Sequence, residues 1–178
     1  MAYKSSRNGY LFTLCREAIV TVAYADGPKY KSIGVGHNGP EVGADDVLTV
    51  PHAFDLFVKD MAKLDARLNR ELKVPVLQPQ YDALKDLNFN AGNRYVWDVV
   101  KLINAGEMDA AADTMLRDDQ NLSGEHIPGL SKRRALEVAM FSHGDYGHLD
   151  RVLLFTGNPR TTRPQTYVVQ DADFAEAA

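Results

Sequence analysis

The stretch from Glu17 to His37 reads E-A-I-V-T-V-A-Y-A-D-G-P-K-Y-K-S-I-G-V-G-H, and it decides how this chain is interpreted. It begins with one carboxylate, has a second nine positions later at Asp26, and has a hydroxyl six positions further on at Ser32. Two carboxyl groups and a nearby hydroxyl suit glycoside hydrolysis, in which one carboxylic acid protonates the leaving oxygen and one carboxylate acts on the opposite face of the sugar. Because charged residues make up 25% of the chain, this spacing alone is weak support.

The elements around these side chains follow from local patterns. Apolar residues recur at helical spacing over residues 9–19, so we predict a helix with Glu17 near its C-terminal end. The alternation from Val20 to Tyr24 predicts a strand, and the Asp-Gly-Pro sequence in residues 26–29 predicts a turn. The first carboxylate therefore precedes the strand, and Asp26 follows it.

The segment from Tyr30 to His37 is predicted to be one returning strand, with Gly34 and Gly36 on the same side. Glycine inside a strand allows another chain to approach the backbone closely, which a polysaccharide lying across a small sheet would need. A bulge or tight packing explains the glycines equally well, so both interpretations stay open.

The rest of the chain is mostly helical in pattern. Thr49 is a suitable N-cap for a long amphipathic helix that runs to about residue 72. Short extended segments are predicted at 152–155 and 167–169, before a frayed end. Further helices are predicted at 79–90, 97–104, 108–117 and 132–141.

The predicted fold class is α+β and mainly helical. A domain over residues 1–142 contains a small N-terminal α+β lobe over about residues 9–50, a linking helix over about 50–72 and a helical lobe over about 73–142. Residues 143–178 form a C-terminal extension.

Composition excludes several classes of protein. The net charge is −4 and the Lys and Arg residues are scattered, so no nucleic-acid partner is expected. Cys15 is the only cysteine, so no intramolecular disulfide is possible, and the five histidines show no zinc motif, so no metal site is predicted. The apolar run after the polar N-terminus is broken by Arg16 and Glu17, so we expect neither a signal peptide nor membrane insertion, and synthesis in a cytoplasm.

Four motifs occur along the chain in a fixed order: a helix ending in Glu before Tyr-x-Asp and Ser-Ile-Gly-x-Gly-His, a Leu-Thr-x-x-x-Ala helix start, an Ala-Leu segment reaching Phe-Asn-x-Gly, and a Gly-Leu-x-x-Arg-Arg-x-x-Glu helix. The positions concerned are Glu17, Tyr24, Asp26, Ser32, Ile33, Gly34, Gly36, His37, Leu48, Thr49, Ala53, Ala83, Leu84, Phe89, Asn90, Gly92, Gly129, Leu130, Arg133, Arg134 and Glu137. Over roughly residues 9–142 the chain resembles the phage-type lysozymes, the endolysin family of muramidases (glycoside hydrolase family 24). It departs from that pattern at Ala18, where the family usually has Gly, and at Ser32, where it has Thr.

The resemblance implies a lysozyme-like fold and roles for several of the matched positions. Glu17 is the general acid, Asp26 the second carboxylate that activates or orients water, and Ser32 the residue that holds this water. A carboxyl separation of about 6.5–9.5 Å would give inversion and about 5–5.5 Å retention, and the sequence leaves both open. The substrate-binding positions implied are Tyr24, Gly36, Asn38, Phe89 and Asn90.

A histidine after a glycine-spaced segment needs a partner if it is buried. Asp60, on the predicted long helix, is the candidate, so we hypothesise a structural His37–Asp60 pair. Arg133 and Arg134 are interpreted as structural, with Glu137 at helical pairing distance.

The resemblance implies a phage endolysin, a monomer that cuts the β-1,4 bond between N-acetylmuramic acid and N-acetylglucosamine in bacterial peptidoglycan and lyses the host. It implies no metal or organic cofactor, a stay in the host cytoplasm until a holin opens the membrane, and then action in the periplasm and cell wall. Two alternatives remain: a virion-associated lysozyme that docks through residues 143–178, and a non-catalytic lysozyme fold that binds glycan or protein. For the extension itself, packing on the helical lobe is favoured over docking.

Overall fold

The chain folds into a mixed α+β structure, as predicted. The computed structural model describes residues 2–26, 30–120 and 123–177, with side chains as far as residue 174. Within these residues the helices and strands are α1 (Arg7–Glu17), β1 (Ile19–Ala25), β2 (Lys31–Gly34), β3 (His37–Gly39), α2 (Val50–Glu71), α3 (Gln78–Ala91), α4 (Asn93–Asn104), α5 (Met108–Leu116), α6 (Pro128–His143), β4 (Val152–Phe155) and β5 (Gln165–Tyr167). None of these helices combines the length and apolarity that a membrane span requires.

The chain divides into two compact units. The helical unit comprises Met1–Tyr10 and Lys63–Gly147, and the sheet unit comprises Leu11–Ala62 and His148–Ala178. Each unit is therefore built from two segments that are distant in sequence. The C-terminal residues from His148 onward belong to the sheet unit, whereas the sequence favoured their packing on the helical lobe.

The sheet has the strand order β3-β2-β1-β4-β5, so the C-terminal extension supplies two of its five strands. β4 runs parallel to β1, with Ile19 opposite Leu154 and Val20 opposite Phe155. Val152 at the start of β4 is 1% exposed. This burial of apolar surface, together with the shared ladder, explains why the extension is part of the fold.

The predicted frayed C-terminus is wrong. Residues Asp171–Ala177 form a 3₁₀ helix. The ring of Phe174 meets that of Phe54 edge to face at 5.4 Å, and the Tyr167 hydroxyl donates to Asp173 Oδ1 at 2.9 Å. An aromatic contact on a buried phenylalanine of α2 holds this segment in place, and composition alone gives no sign of it.

The single strand predicted from Tyr30 to His37 is also wrong, because the chain turns back within it. β2 and β3 pair antiparallel, with Ile33 opposite His37. Gly34 and Gly36 have φ values of 65° and 69°, in the left-handed region that glycine adopts without steric cost. The glycines therefore form a tight hairpin turn instead of a flat surface along a strand.

The helical unit buries several charged side chains, each with a partner. On α3, every residue from Tyr81 to Asn88 is buried. Lys85 Nζ lies 2.6 Å from Asp65 Oδ1, and Arg133 donates to both carboxylate oxygens of Asp86 at 2.9 Å. Buried charges are tolerated only when they are paired and hydrogen-bonded, so the loss of one of these contacts would destabilise the unit.

The structural pairing expected around Glu137 is confirmed. Arg134 Nη1 lies 2.5 Å from Glu137 Oε2, and Arg133 Nε lies 3.5 Å from Oε1 of the same carboxylate. Burial raises the pKa of Glu137 well above its usual range, Asp86 adds to that shift, and the two arginines oppose it.

Candidate active site

Three of the predicted site residues act on the phenol of a fourth, Tyr24, in the sheet unit. Burial, together with the charges of Asp26 and Glu17, raises the pKa of Tyr24 to about 12. A side-chain hydrogen bond with Ser32 acts in the opposite direction. A neighbouring carboxylate raises a phenol's pKa, so both carboxylates lie within electrostatic range of Tyr24. The structure thus brings Glu17, Tyr24, Asp26 and Ser32 together.

Asp26 and Ser32 face each other directly. The Ser32 hydroxyl is 3.4 Å from Asp26 Oδ2, a long hydrogen bond. Ser32 is 2% exposed, whereas Asp26 is exposed just beyond the end of β1. In the β1–β2 ladder Tyr24 pairs with Ser32, which fixes the serine across from the phenol. A buried hydroxyl beside an open carboxylate is an arrangement that can hold a water molecule between two acceptors.

Glu17 is held by the junction between α1 and β1. It is half-buried and is the last residue of α1. The next residue, Ala18, has φ 66°, and its N–H donates to Leu14 O at 3.2 Å. A left-handed residue directly after a helix redirects the chain into the strand, which is why glycine is favoured at this position.

We expect Ala18→Gly to stabilise the protein. A Cβ in the left-handed region costs about 1–2 kcal/mol, part of which is offset by the greater freedom of glycine in the unfolded chain. The free energy of unfolding measured in urea should rise by about 0.5–1 kcal/mol. Ala62→Gly, on an exposed position of α2, is the matched control and should lower it, because glycine is unfavourable inside a helix. A loss of stability in Ala18→Gly would contradict the assigned strain.

His37 lies between two carboxylates. Its Nδ1 is 2.6 Å from Asp60 Oδ2, the contact hypothesised from the sequence, and its Nε2 is 3.2 Å from Glu41 Oε1. The His37 side chain is 13% exposed, that of Asp60 22% and that of Glu41 60%. The contact with Asp60 joins the β2–β3 hairpin to α2, and sequence reasoning missed the second contact because Glu41 lies in a predicted loop.

A double-mutant cycle should separate these two contacts. For His37→Ala and Asp60→Ala we expect a coupling energy of about 1 kcal/mol at pH 6–7, because the pair is partly buried and short. The cycle of His37→Ala with Glu41→Ala should give a value near zero, because exposed pairs contribute little. Urea denaturation of the three single variants, the two double variants and the wild type measures both coupling energies. No coupling between positions 37 and 60 would remove the structural role of the pair.

Three further predicted binding residues belong to different units, Asn38 to the sheet unit and Phe89 and Asn90 to the helical unit. Asn38 is exposed on β3, opposite Ser32, and its Nδ2 donates to Gly36 O at 3.2 Å. Phe89 and Asn90 are half-buried near the C-terminal end of α3 and belong to the helical unit. The side chain of Asn90 accepts a hydrogen bond from the Arg134 guanidinium.

Asn90 lines a cavity of about 160 Å³ within the helical unit, together with Asp118. Burial raises the pKa of Asp118 to about 6, while Arg134 lowers it and Asp119 raises it. Asp118 Oδ2 has no hydrogen-bond partner among the described residues. The cavity lining is Asn90, Ala91, Tyr95, Asp118, Gln120, Leu130 and Arg134.

The buried carboxyl of Asp118 predicts a pH dependence of stability. Because its pKa in the folded protein is above the unfolded value, its contribution is present below about pH 4 and is lost as pH rises through about 6. Asp118→Asn should therefore raise the free energy of unfolding at pH 7. The expected gain is about 1–2 kcal/mol, because solvent screens the charge of a partly exposed carboxylate. The substitution should have no effect at pH 4. Asp113→Asn, exposed on α5, is the control, and an equal gain at both pH values would contradict the assignment.

Sequence reasoning missed one charged residue near the site. Arg160, in the connection between β4 and β5, lowers the pKa of Tyr24 and so lies within electrostatic range of the phenol. No motif marks it in the sequence, because its position depends on strand pairing between residues more than 130 positions apart. Among the described residues, no group of three or more His, Cys, Asp or Glu side chains is arranged to hold a metal ion.

Comparisons with known proteins agree on one family. Residues 15–137 match the family model described as phage lysozyme. The endolysin of Bacillus phage B103 is 32% identical over 88% of this chain, and the chain spans 60% of that protein's length. The solved structure of an endolysin from Escherichia coli O157:H7 phage FAHEc1 aligns with a TM-score of 0.74 at 26% identity, covering 83% of this chain and 99% of the other. The muramidase domain of SpmX from Asticaccaulis excentricus aligns with a TM-score of 0.72 at 26% identity, covering 79% and 98%.

Proposed function

The chain belongs to the phage lysozyme family, and from this premise we propose that it is an endolysin that hydrolyses bacterial peptidoglycan. The bond cleaved is the β-1,4 linkage between N-acetylmuramic acid and N-acetylglucosamine, and its cleavage lyses the host cell. The observation that carries the proposal is the convergence of Glu17, Asp26 and Ser32 on Tyr24. The relatives named endolysin and the structural neighbour named a muramidase domain support the same activity.

The proposed mechanism assigns one proton transfer to each carboxyl group. Glu17 donates its proton to the glycosidic oxygen as the bond between that oxygen and the anomeric carbon breaks. Asp26 accepts a proton from a water molecule that attacks the anomeric carbon from the opposite face. The Ser32 hydroxyl, 3.4 Å from Asp26 Oδ2, fixes this water in place. Tyr24 is a neutral phenol at neutral pH, as tyrosine ordinarily is, and so serves as a hydrogen-bond donor to the sugar or to a carboxylate.

Product analysis tests the reaction directly. Purified peptidoglycan is incubated with the protein, the products are reduced with borohydride, and their masses are determined. A muramidase leaves N-acetylmuramic acid at the reducing ends, a glucosaminidase leaves N-acetylglucosamine, and a transglycosylase leaves anhydro ends. The anomer formed first, followed by NMR, distinguishes inversion from retention. A folded protein that yields no product from any wall would support the non-catalytic binding alternative instead.

The proposed setting is the host cytoplasm before lysis and the cell wall afterwards, with a holin opening the membrane. Expression in Escherichia coli tests this route. If it is correct, cells producing the protein alone remain intact, and cells that also produce a holin lyse within minutes of its triggering. Lysis by the protein alone would show that it reaches the wall without a holin.

A further inference from the structure

The connection between β4 and β5, residues 156–164, lies at the same end of the sheet as the candidate active site. β4 is parallel to β1, with Val20 opposite Phe155, and the Thr21 hydroxyl donates to Phe155 O at 3.3 Å. The chain that leaves β4 after Phe155 therefore continues in the direction in which β1 runs from Val20 to Tyr24. This connection lies beyond residue 137, where the match to the family model ends.

The connection is a defined turn organised by Asn158. Asn158 Oδ1 accepts the N–H of Arg160 at 3.0 Å, and its carbonyl accepts the N–H of Thr161 at 3.0 Å and of Thr162 at 2.8 Å. Asn in this role stabilises a turn through its own side chain. A Cβ on Gly157 would lie 2.5 Å from Thr162 Oγ1, so the turn is also closely packed. The backbone of Arg160 is thus held, while its side chain is exposed.

Arg160 brings a positive charge to an otherwise acidic site. Among the charged residues described as acting on the Tyr24 phenol, Glu17 and Asp26 are anions, and Arg160 is the one cation. The Arg160 side chain is exposed, and a guanidinium carries five N–H donors that can bind an anion. Arg163, on the same connection, is also exposed but is absent from the charges that act on Tyr24.

We propose that Arg160 forms an anion subsite that binds a carboxylate carried by the muramic acid residue of the substrate. This inference rests on the proposed function and names the substrate group that the extension recognises. A guanidinium binds a carboxylate through two parallel hydrogen bonds, so it fixes the orientation of the sugar as well as adding affinity. In peptidoglycan that carboxylate is the lactyl group where no peptide is attached, or a carboxylate of the peptide stem where the lactyl carboxyl is bonded to a peptide. N-acetylglucosamine has neither group, so the subsite would distinguish the two sugars of the strand.

The test compares Arg160→Gln with Arg163→Gln, which removes the same charge from the same turn. Three substrates are used: intact solubilised peptidoglycan, the same strands with peptides removed by an amidase, and strands whose carboxylates have been converted to amides with carbodiimide. We expect Arg160→Gln to lower kcat/KM about tenfold on carboxylate-bearing strands, mainly through KM, because one charge-assisted contact is lost. On the amidated strands it should match the wild type, and Arg163→Gln should match the wild type throughout. Circular dichroism and urea denaturation establish that both variants are folded.

The substrate arms identify the source of the carboxylate. A defect that appears only on amidase-treated strands, in which the lactyl carboxylate has been freed, assigns the lactyl group, and one confined to intact strands, in which the lactyl carboxyl is bonded to the peptide, assigns the peptide stem. An equal defect on amidated strands, or an equal defect in Arg163→Gln, would overturn the subsite. A shifted pH–rate profile on amidated strands would also overturn it, because Arg160 would then act on the catalytic carboxyl groups.

Failure of the subsite is distinguishable from failure of the proposed function. If the wild type cleaves all three substrates and Arg160→Gln cleaves them equally well, only the subsite is wrong. If the wild type cleaves none of them, the endolysin activity is wrong. Binding of a soluble disaccharide–tetrapeptide, followed by NMR titration of the wild type and Arg160→Gln, then tests the subsite without turnover, and equal affinities would remove it.

Discussion

Replacing Glu17 with Gln should abolish cleavage of peptidoglycan while the fold remains intact. Gln has the same shape but has no proton to donate to the glycosidic oxygen, and general acid catalysis contributes roughly 10²–10⁴-fold to such reactions. We therefore expect kcat to fall by about 10²–10⁴-fold, with little change in KM. Glu17 is half-buried at the end of α1, so the isosteric change should leave the packing of the helix unchanged. Turbidity clearing and reducing-end release measure the loss.

Glu71→Gln is the matched control for this variant. Glu71 is also the last residue of a helix, but it is exposed and belongs to the helical unit. The control should keep full activity. Activated aryl glycosides supply a sharper criterion, because a good leaving group needs no proton. Glu17→Gln should regain much of its activity on such a substrate, whereas Asp26→Asn should not. A folded Glu17→Gln with more than about a tenth of wild-type activity on peptidoglycan would contradict its role as the acid.

The part of the site that could be predicted from sequence is the part built by local geometry. Glu17, Tyr24, Asp26 and Ser32 lie within one helix, one strand and the start of the next strand, so a short stretch of chain determines which side chains converge. The motif is sufficient to predict these four site residues because the elements that carry them follow one another in the sequence. The His37–Asp60 contact could be hypothesised for a related reason, since a long amphipathic helix has a readable inner face.

The features that could not be predicted from the sequence depend mainly on contacts between distant segments. The pairing of β4 with β1 joins residues more than 130 positions apart, and short apolar segments such as Val152–Phe155 carry no signal that specifies their partner strand. The position of Arg160 follows from that pairing and was missed with it. The hairpin between β2 and β3 shows a different difficulty: glycines spaced by two fit both a strand and a turn, and only the positive φ angles decide.

Asp65→Asn should cause the largest loss of stability among the changes considered. Lys85 is 1% exposed, and its ammonium lies 2.6 Å from Asp65 Oδ1, which also accepts the Tyr81 hydroxyl at 2.6 Å. The change keeps the size of the side chain and a hydrogen-bond acceptor but removes the negative charge that lies against the buried Lys85 ammonium. Removing one member of a buried ion pair typically costs about 3–5 kcal/mol, and urea denaturation should show a loss of about that size.

Asp98→Asn is the control for an ion pair that is exposed. Asp98 lies 2.9 Å from Lys101 Nζ, with side chains that are 62% and 76% exposed, so its replacement should leave the denaturation midpoint unchanged. The double variant Asp65→Asn/Lys85→Met tests the cause, since it removes both charges. Because no buried ammonium then remains, it should be more stable than Asp65→Asn alone, within about 1–2 kcal/mol of the wild type.

The pH dependence of Asp65→Asn gives an independent check on the same charge. Burial already lowers the pKa of Lys85, and the charge of Asp65 raises it, so the loss of Asp65 lowers the pKa further. A lysine whose pKa is lower in the folded than in the unfolded protein gains stability as pH rises between the two values, because the unfolded chain then binds more protons. The variant should therefore recover stability from neutral pH towards about pH 10, near the unfolded lysine pKa of about 10.4, more steeply than the wild type. A deficit that stays constant with pH would place the loss in packing or hydrogen bonding instead of in the loss of the negative charge beside the ammonium.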